Sequence, residues 1–217
     1  MINQKGICLL ILLVCGYSTI CFSQFEGKVF YEMTYESSDP ETQTFIGMLP
    51  KESSIAIKGA EMRLSQSLAG GGAQAFITNS ELKTSTLVMK FMGQKFQVQM
   101  NEEEMMKLER AEPFKIVKGN KTKEIAGYTC NQAFALMGTD SLEIYYAPEL
   151  KTNGILPQFA ELDGLPLQYE IAKGKMRISY QCTSVSPEKI DPAIFIVDSK
   201  ITQIPFEQFA QSFAVSK

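Results

Sequence analysis

Leu167-Gln168-Tyr169-Glu170-Ile171-Ala172-Lys173-Gly174-Lys175-Met176-Arg177-Ile178-Ser179-Tyr180-Gln181-Cys182-Thr183 decides the fold class. Apolar side chains recur at every second position on both sides of Lys173-Gly174-Lys175. Side chains of a strand alternate between two faces, so this is the pattern of two half-buried strands joined by a tight turn. The same period governs Val29, Tyr31, Met33 and Tyr35, with Lys28, Glu32 and Thr34 between them. Phe96, Val98 and Met100 alternate with Gln97 and Gln99. Further strands are expected at 43–49, 53–58, 61–67, 73–79, 85–92, 114–118, 132–137 and 141–146. Lys58-Gly59, Gly70-Gly71-Gly72, Met92-Gly93 and Gly138-Thr139-Asp140 punctuate them as hairpin tips. Connections this short predict a meander of antiparallel neighbours, because parallel strands need long crossovers.

Few helices are expected. Asn101 with Glu104 three residues later makes a capping box before Met105, Met106 and Leu108. Pro205 opens a last helix that carries Phe206, Phe209, Ala210 and Phe213 on one face. Residues 147–164, with several prolines and glycines, read as a loop or short helix laid across the sheet. The likeness of residues 58–65 to 173–179 is recurring hairpin chemistry, with no repeat period behind it.

Work outward to the start of the chain and the pattern changes. Lys5 precedes a nearly uninterrupted apolar run from Ile7 to Ile20, followed by Cys21-Phe22-Ser23. That is the layout of a secretory signal peptide cleaved after Ser23. Residues 24–217 then form a single domain, and the protein is expected in the periplasm or otherwise exported across the inner membrane. Val14 and Ile20 stand before Cys15 and Cys21, where a lipid-anchor signal wants a small residue, so soluble export is favoured. The apolar run is short for a bilayer span and no second one follows, so no transmembrane span is expected after cleavage.

Cleavage removes Lys5 and no acid, lowering the formal charge of −3 by one. A mildly acidic chain has no electrostatic footprint for nucleic acid or anionic lipid surfaces. Three of the five cysteines leave with the leader, and Cys130 and Cys182 remain. An even pair in an exported chain can be a disulfide; the alternative is two free, buried thiols.

The chain contains no histidine. Ser-His-Asp and Cys-His catalysis, histidine bases and nearly all catalytic zinc sites are thereby excluded. Glu102-Glu103-Glu104 sits where a helix starts, so its acids serve the helix dipole. Gly70-Gly71-Gly72 lacks the Lys-Ser/Thr that a phosphate loop requires. No catalytic residue, metal site or cofactor is expected, and the protein is read as a non-enzyme.

Eleven methionines and fourteen phenylalanines make an adaptable apolar interior. The strand at 85–92 is apolar at Leu87, Met89 and Phe91 and partly so at Val88 and Met92, so both its faces should be covered.

Four further stretches carry a resemblance. Ile125-Ala126-Gly127-Tyr128-Thr129-Cys130 precedes Leu142-Glu143-Ile144-Tyr145-Tyr146-Ala147-Pro148-Glu149-Leu150; then come Gly164-Leu165-Pro166 and Asp191-Pro192-Ala193-Ile194-Phe195. In this order they resemble exported domains of unknown function, which are in turn similar to the lipoprotein carrier and receptor proteins LolA and LolB. The resemblance covers most of the chain up to the last helix. It departs after Phe195, where relatives continue to Pro-x-Gly-Tyr and this chain has Val197-Asp198-Ser199-Lys200. It implies a mainly β fold: a curved antiparallel sheet, an open half-barrel with a few short covering helices. The expected function is binding of an apolar ligand, a lipid or acyl chain, in a cavity lined by Met33, Leu87, Met89, Phe91, Phe96, Val98, Met100, Ile144 and Tyr169. The alternative is an interaction domain with a filled core that docks on an envelope protein.

Overall fold

The structure, a computed structural model, describes residues 24–109, 115–137, 140–152 and 156–214. The expected leader, with Cys15 and Cys21, lies outside the described residues, as does the Gly138-Thr139 tip. The protein is mainly β, one large curved sheet that does not close.

Strand β1 (Gly27–Ser37) is its centre. From β1 one meander runs through β2 (Glu52–Lys58), β3 (Glu61–Leu68), β4 (Gly72–Asn79), β5 (Thr84–Phe91) and β6 (Gln94–Asn101). The chain then jumps to the far edge and returns through β7 (Lys115–Ile125), β8 (Tyr128–Met137), β9 (Asp140–Ala147), β10 (Leu165–Lys173) and β11 (Met176–Pro187). Strand β11 lies antiparallel on the free side of β1, pairing Gly27 with Pro187 and Ser37 with Met176. Two meander arms therefore share one seam. The short β12 (Thr202–Gln203) adds a parallel rung outside β6, so the free edges are β12 and β7.

The alternation seen in sequence sorts the faces. Val29, Tyr31, Met33, Ile55, Ile57, Met62, Tyr169, Ile178, Tyr180 and Cys182 point to one side and join a single buried cluster. The β9–β10 connection folds over that side and contributes Leu150, Leu156, Phe159 and Leu162. On the other arm the same side carries a second cluster of Leu87, Val98 and Met100 under Phe206 and Phe209. A row of polar side chains separates the two. Gln74 donates to Gln66, and Gln66 donates to the Met33 sulfur; Ser53, paired to Gln66 in register, has a buried hydroxyl without a partner among the described residues.

Both expected helices form. In α2 (Glu102–Glu109) the Asn101 side chain accepts from the Glu104 backbone while Glu104 accepts from the Asn101 N–H, the reciprocal bonding of a capping box. Helix α3 (Phe206–Ala214) covers the second cluster. The side chains of Met106, Leu108 and Phe213 lie outside the described residues.

One expected strand is corrected. Residues 43–49 do not extend; α1 (Pro40–Ile46) occupies the place, with Asp39 accepting from the Thr42 N–H and Pro40 at its first turn. Local capping overrides a weak alternation there. Strands β7 and β8 are longer than expected. Strand β7 is missed over most of its length because it is an edge, exposed along most of both faces.

Candidate functional site

The nine residues expected to line a cavity are brought to one side of the sheet but not into one site. Met33, Ile144 and Tyr169 are packed in the first cluster, and Leu87, Met89, Phe96, Val98 and Met100 in the second. Phe91, at the end of β5, is 55% exposed. Tyr169 is held on three sides, stacked on Tyr180 at 4.6 Å and edge-on to Tyr31 and Phe159. These side chains fill space; none of them lines the open groove of the sheet.

That groove lies on the opposite side of the sheet, and the C-terminal segment makes it. After β11 the chain crosses this side as a strap, from Glu188 to Ile201. Its root is fixed by the Lys28–Glu188 and Lys58–Glu26 ion pairs and by the Ile190 N–H donating to Glu26 at 2.8 Å. Lys58 also donates to the Ile190 carbonyl, and Arg63 to that of Ile194. Ile190 and Phe195 bury themselves against Ala56 and Ile77, with Val88, Ile194 and Val197 alongside. This explains why β5 is apolar at Val88 as well as Leu87: the strap covers one face and α3 the other. At the far end Gln97 donates to the Ile201 carbonyl, and Ile204 donates to Gln97.

Beside the strap is a trough of about 1180 Å³. Its floor can be read from the strand register. One row across the sheet runs Phe30, Ser54, Ser65, Ala75 and Val88. The next runs Glu32, Glu52, Ser67, Ala73, Lys90 and Lys95. Small side chains in the middle of both rows leave the sheet bare, and the trough exists because of them. Ile196, Val197 and Ile201 of the strap form an apolar wall, Phe30 and Val88 stand at the two ends of the inner row, and Lys51, Asp198, Thr183 and Ser184 complete the rim. A bulge at Thr183 of β11, opposite Phe30 and Tyr31 of β1, with Thr183 donating to the Phe30 carbonyl, sets that end of the floor.

Glu26 holds the strap through a titratable group. The Ile190 N–H, then Lys58, lower its pKa from 4.5. A carboxyl with a depressed folded pKa gives stabilisation that is full above its unfolded value and lost as pH falls through the folded one. We expect the Ile190 amide resonance to titrate with a midpoint below 4.5 in NMR spectra, and the step to vanish in Glu26→Gln. A midpoint at or above 4.5 would show that the strap root is not held by this carboxylate.

Cys130 and Cys182 are buried and unbonded in this structure, and burial pushes both thiols up to about 11. No group of three or more Cys, Asp or Glu side chains among the described residues is arranged to hold a metal ion. Among the described residues no helix is long and apolar enough to cross a membrane. The strap was missed in sequence because it has no period; only Asp191-Pro192, whose Asp191 caps the turn Pro192–Phe195, signalled an element there.

No family model matches the chain, and no curated protein does. Among solved structures it is similar to PNGF-II in one crystal form, with 15% identity and a TM-score of 0.50 over 87% of this chain and 33% of that one. A second crystal form of PNGF-II gives 16% and 0.44 over 84% and 32%. A β-barrel-like protein of the domain of unknown function DUF1849 from Brucella abortus gives 7% and 0.36 over 76% and 99%. The chain spans about a third of the PNGF-II structures it matches. At 15% identity the likeness to the first of these is one of fold alone.

Proposed function

We propose that the protein is an exported, non-catalytic binding protein that holds an amphipathic ligand, a lipid or acyl chain with a polar end, in the trough beside the strap. The observation that carries this reading is the trough itself: about 1180 Å³, floored by Ser54, Ser65, Ser67, Ala73 and Ala75 and walled by strap isoleucines and Val197. Ligand sites are concave, and this one sets the apolar strap wall of Ile196, Val197 and Ile201 against a floor and rim rich in serine, glutamine and charged side chains, a combination that suits an amphipath rather than a wholly apolar molecule. The resemblance in motif order to LolA and LolB supports the same class of ligand, and the leader-like residues 1–23 support action outside the cytoplasm. The ligand is placed on the strap side because eight of the nine residues expected to line a cavity are taken up by the packed clusters and the ninth, Phe91, is exposed at a strand end.

Solvent extraction of the purified protein followed by lipid mass spectrometry tests this. A co-purifying amphipath is expected from the native protein, and Ser65→Trp, which fills the trough floor, should retain little of it while remaining folded by circular dichroism. An empty extract, with an envelope protein captured by crosslinking instead, would favour the interaction-domain alternative.

A further inference from the structure

We infer that the trough orients its ligand by charge, and that Lys90 and Lys95 form the seat for an anionic head group; this rests on the trough being the binding site. The two lysines are directly opposite each other across β5 and β6, at the same end of the trough floor. Residues so placed have Cα atoms about 4.5–5.5 Å apart, and like charges there repel. Neither lysine has an ion-pair or hydrogen-bond partner for its side chain among the described residues, so both ammonium groups are available to a ligand. Both ammonium groups are exposed, so water screens their mutual repulsion, and a negative group between them would relieve what remains.

The opposite end of the same row carries the reverse charge. Glu32 and Glu52 are also directly opposite each other, across β1 and β2. An anion is repelled from that end and drawn to the lysine end. Between the two lie Ser67 and Ala73, with no charge at all. Three other charged groups border the trough: Lys51, next to Glu52, which leaves that end with a net charge of one negative, and Arg63 and Asp198 by the strap. Arg63 is taken up by the Ile194 carbonyl and the Ser65 hydroxyl. The Asp198 carboxylate accepts from the Lys200 backbone N–H. The ligand chemistry that fits is one anionic group, carboxylate or phosphate, on an apolar body that lies along the strap toward Phe30.

The test uses cis-parinaric acid, a fluorescent fatty acid, and its uncharged methyl ester, titrated into the full protein and into Lys90→Gln/Lys95→Gln. The native protein should bind the acid about tenfold more tightly than the ester. The double variant should bind the acid no better than the ester and leave ester binding unchanged. Glu32→Gln/Glu52→Gln should not weaken the acid. Inorganic phosphate at millimolar concentration should leave the acid bound; displacement by phosphate alone would overturn the assignment to an amphipath. Equal binding of acid and ester by native and variant protein would overturn the lysine seat while leaving the trough as a binding site. Failure of both probes to bind would overturn the proposed function, and the seat with it.

Discussion

Replacing Tyr169 by alanine is expected to cost about 3–5 kcal/mol of stability, the usual penalty for removing a large packed aromatic side chain. The ring is 3% exposed and touches Tyr31, Tyr180 and Phe159. Aromatic pairs in stacked and edge-to-face geometry add to what burial alone contributes. Since whole domains are stable by only about 5–15 kcal/mol, this one change should lower the urea midpoint by a large fraction. Tyr31→Phe gives a milder comparison. It keeps the ring but removes the hydroxyl that donates to the Pro166 carbonyl at 2.8 Å, leaving a buried acceptor unmet at about 1–3 kcal/mol. The measurement also bears on the ligand. If Tyr169 bounded an empty cavity, truncating it would create little new void and cost less than about 1 kcal/mol; that result would return the binding site to this side of the sheet.

The second large effect is expected at Gly164. Its φ is +153°, and a Cβ placed there would lie 2.2 Å from the Ala147 carbonyl oxygen. That oxygen belongs to the backbone of the strand paired beside Leu165, so it cannot swing away. Gly164→Ala should therefore cost about 3 kcal/mol or more, or prevent folding. Gly174→Ala is the control. Gly174 also has a positive φ, +59°, but a Cβ there meets nothing within 4 Å. It should lose only the left-handed backbone penalty, about 1–2 kcal/mol. Thermal melts of the two variants side by side decide the matter, and equal losses would show that the contact with Ala147 is not what fixes this glycine.

These positions also show what the sequence could and could not convey. Gly164-Leu165-Pro166 stood out as a motif, and the structure supplies its reasons: a glycine pressed against a carbonyl, and a proline beside a break in the β9–β10 register, where a missing N–H is tolerated. The hairpin of Tyr169 and Tyr180 was legible because alternation and turn chemistry agree. The capping box of α2 was legible for the same kind of reason. Helix α1 was not, although Asp39-Pro40-Glu41 carries a cap, a first-turn proline and a first-turn acid; the apolar spacing of Phe45 and Gly47–Leu49 outweighed it. The site was illegible for a deeper reason. Period two says which residues share a face, but both faces of β2–β5 are covered, one by the two packed clusters and the other by a strap without periodicity. Choosing the face on hydrophobicity selects the packed one. A trough is instead marked by what is small, here serines and alanines in register across the three strands β2, β3 and β4, and register is a property of pairing that no single strand displays.

The shared seam has a consequence for how the molecule comes together. Strand β1 meets β2 after a short excursion, but its other flank is matched only by β11, with Thr183 lying 153 residues beyond Phe30. In any vectorial synthesis or translocation, that row of β1 amides and carbonyls stays unmatched until every strand from β2 to β10 has appeared. Contacts so far apart along the chain form slowly, and an unmatched strand margin is where chains adhere to one another. The centre of the finished sheet is thus, during assembly, its most vulnerable border.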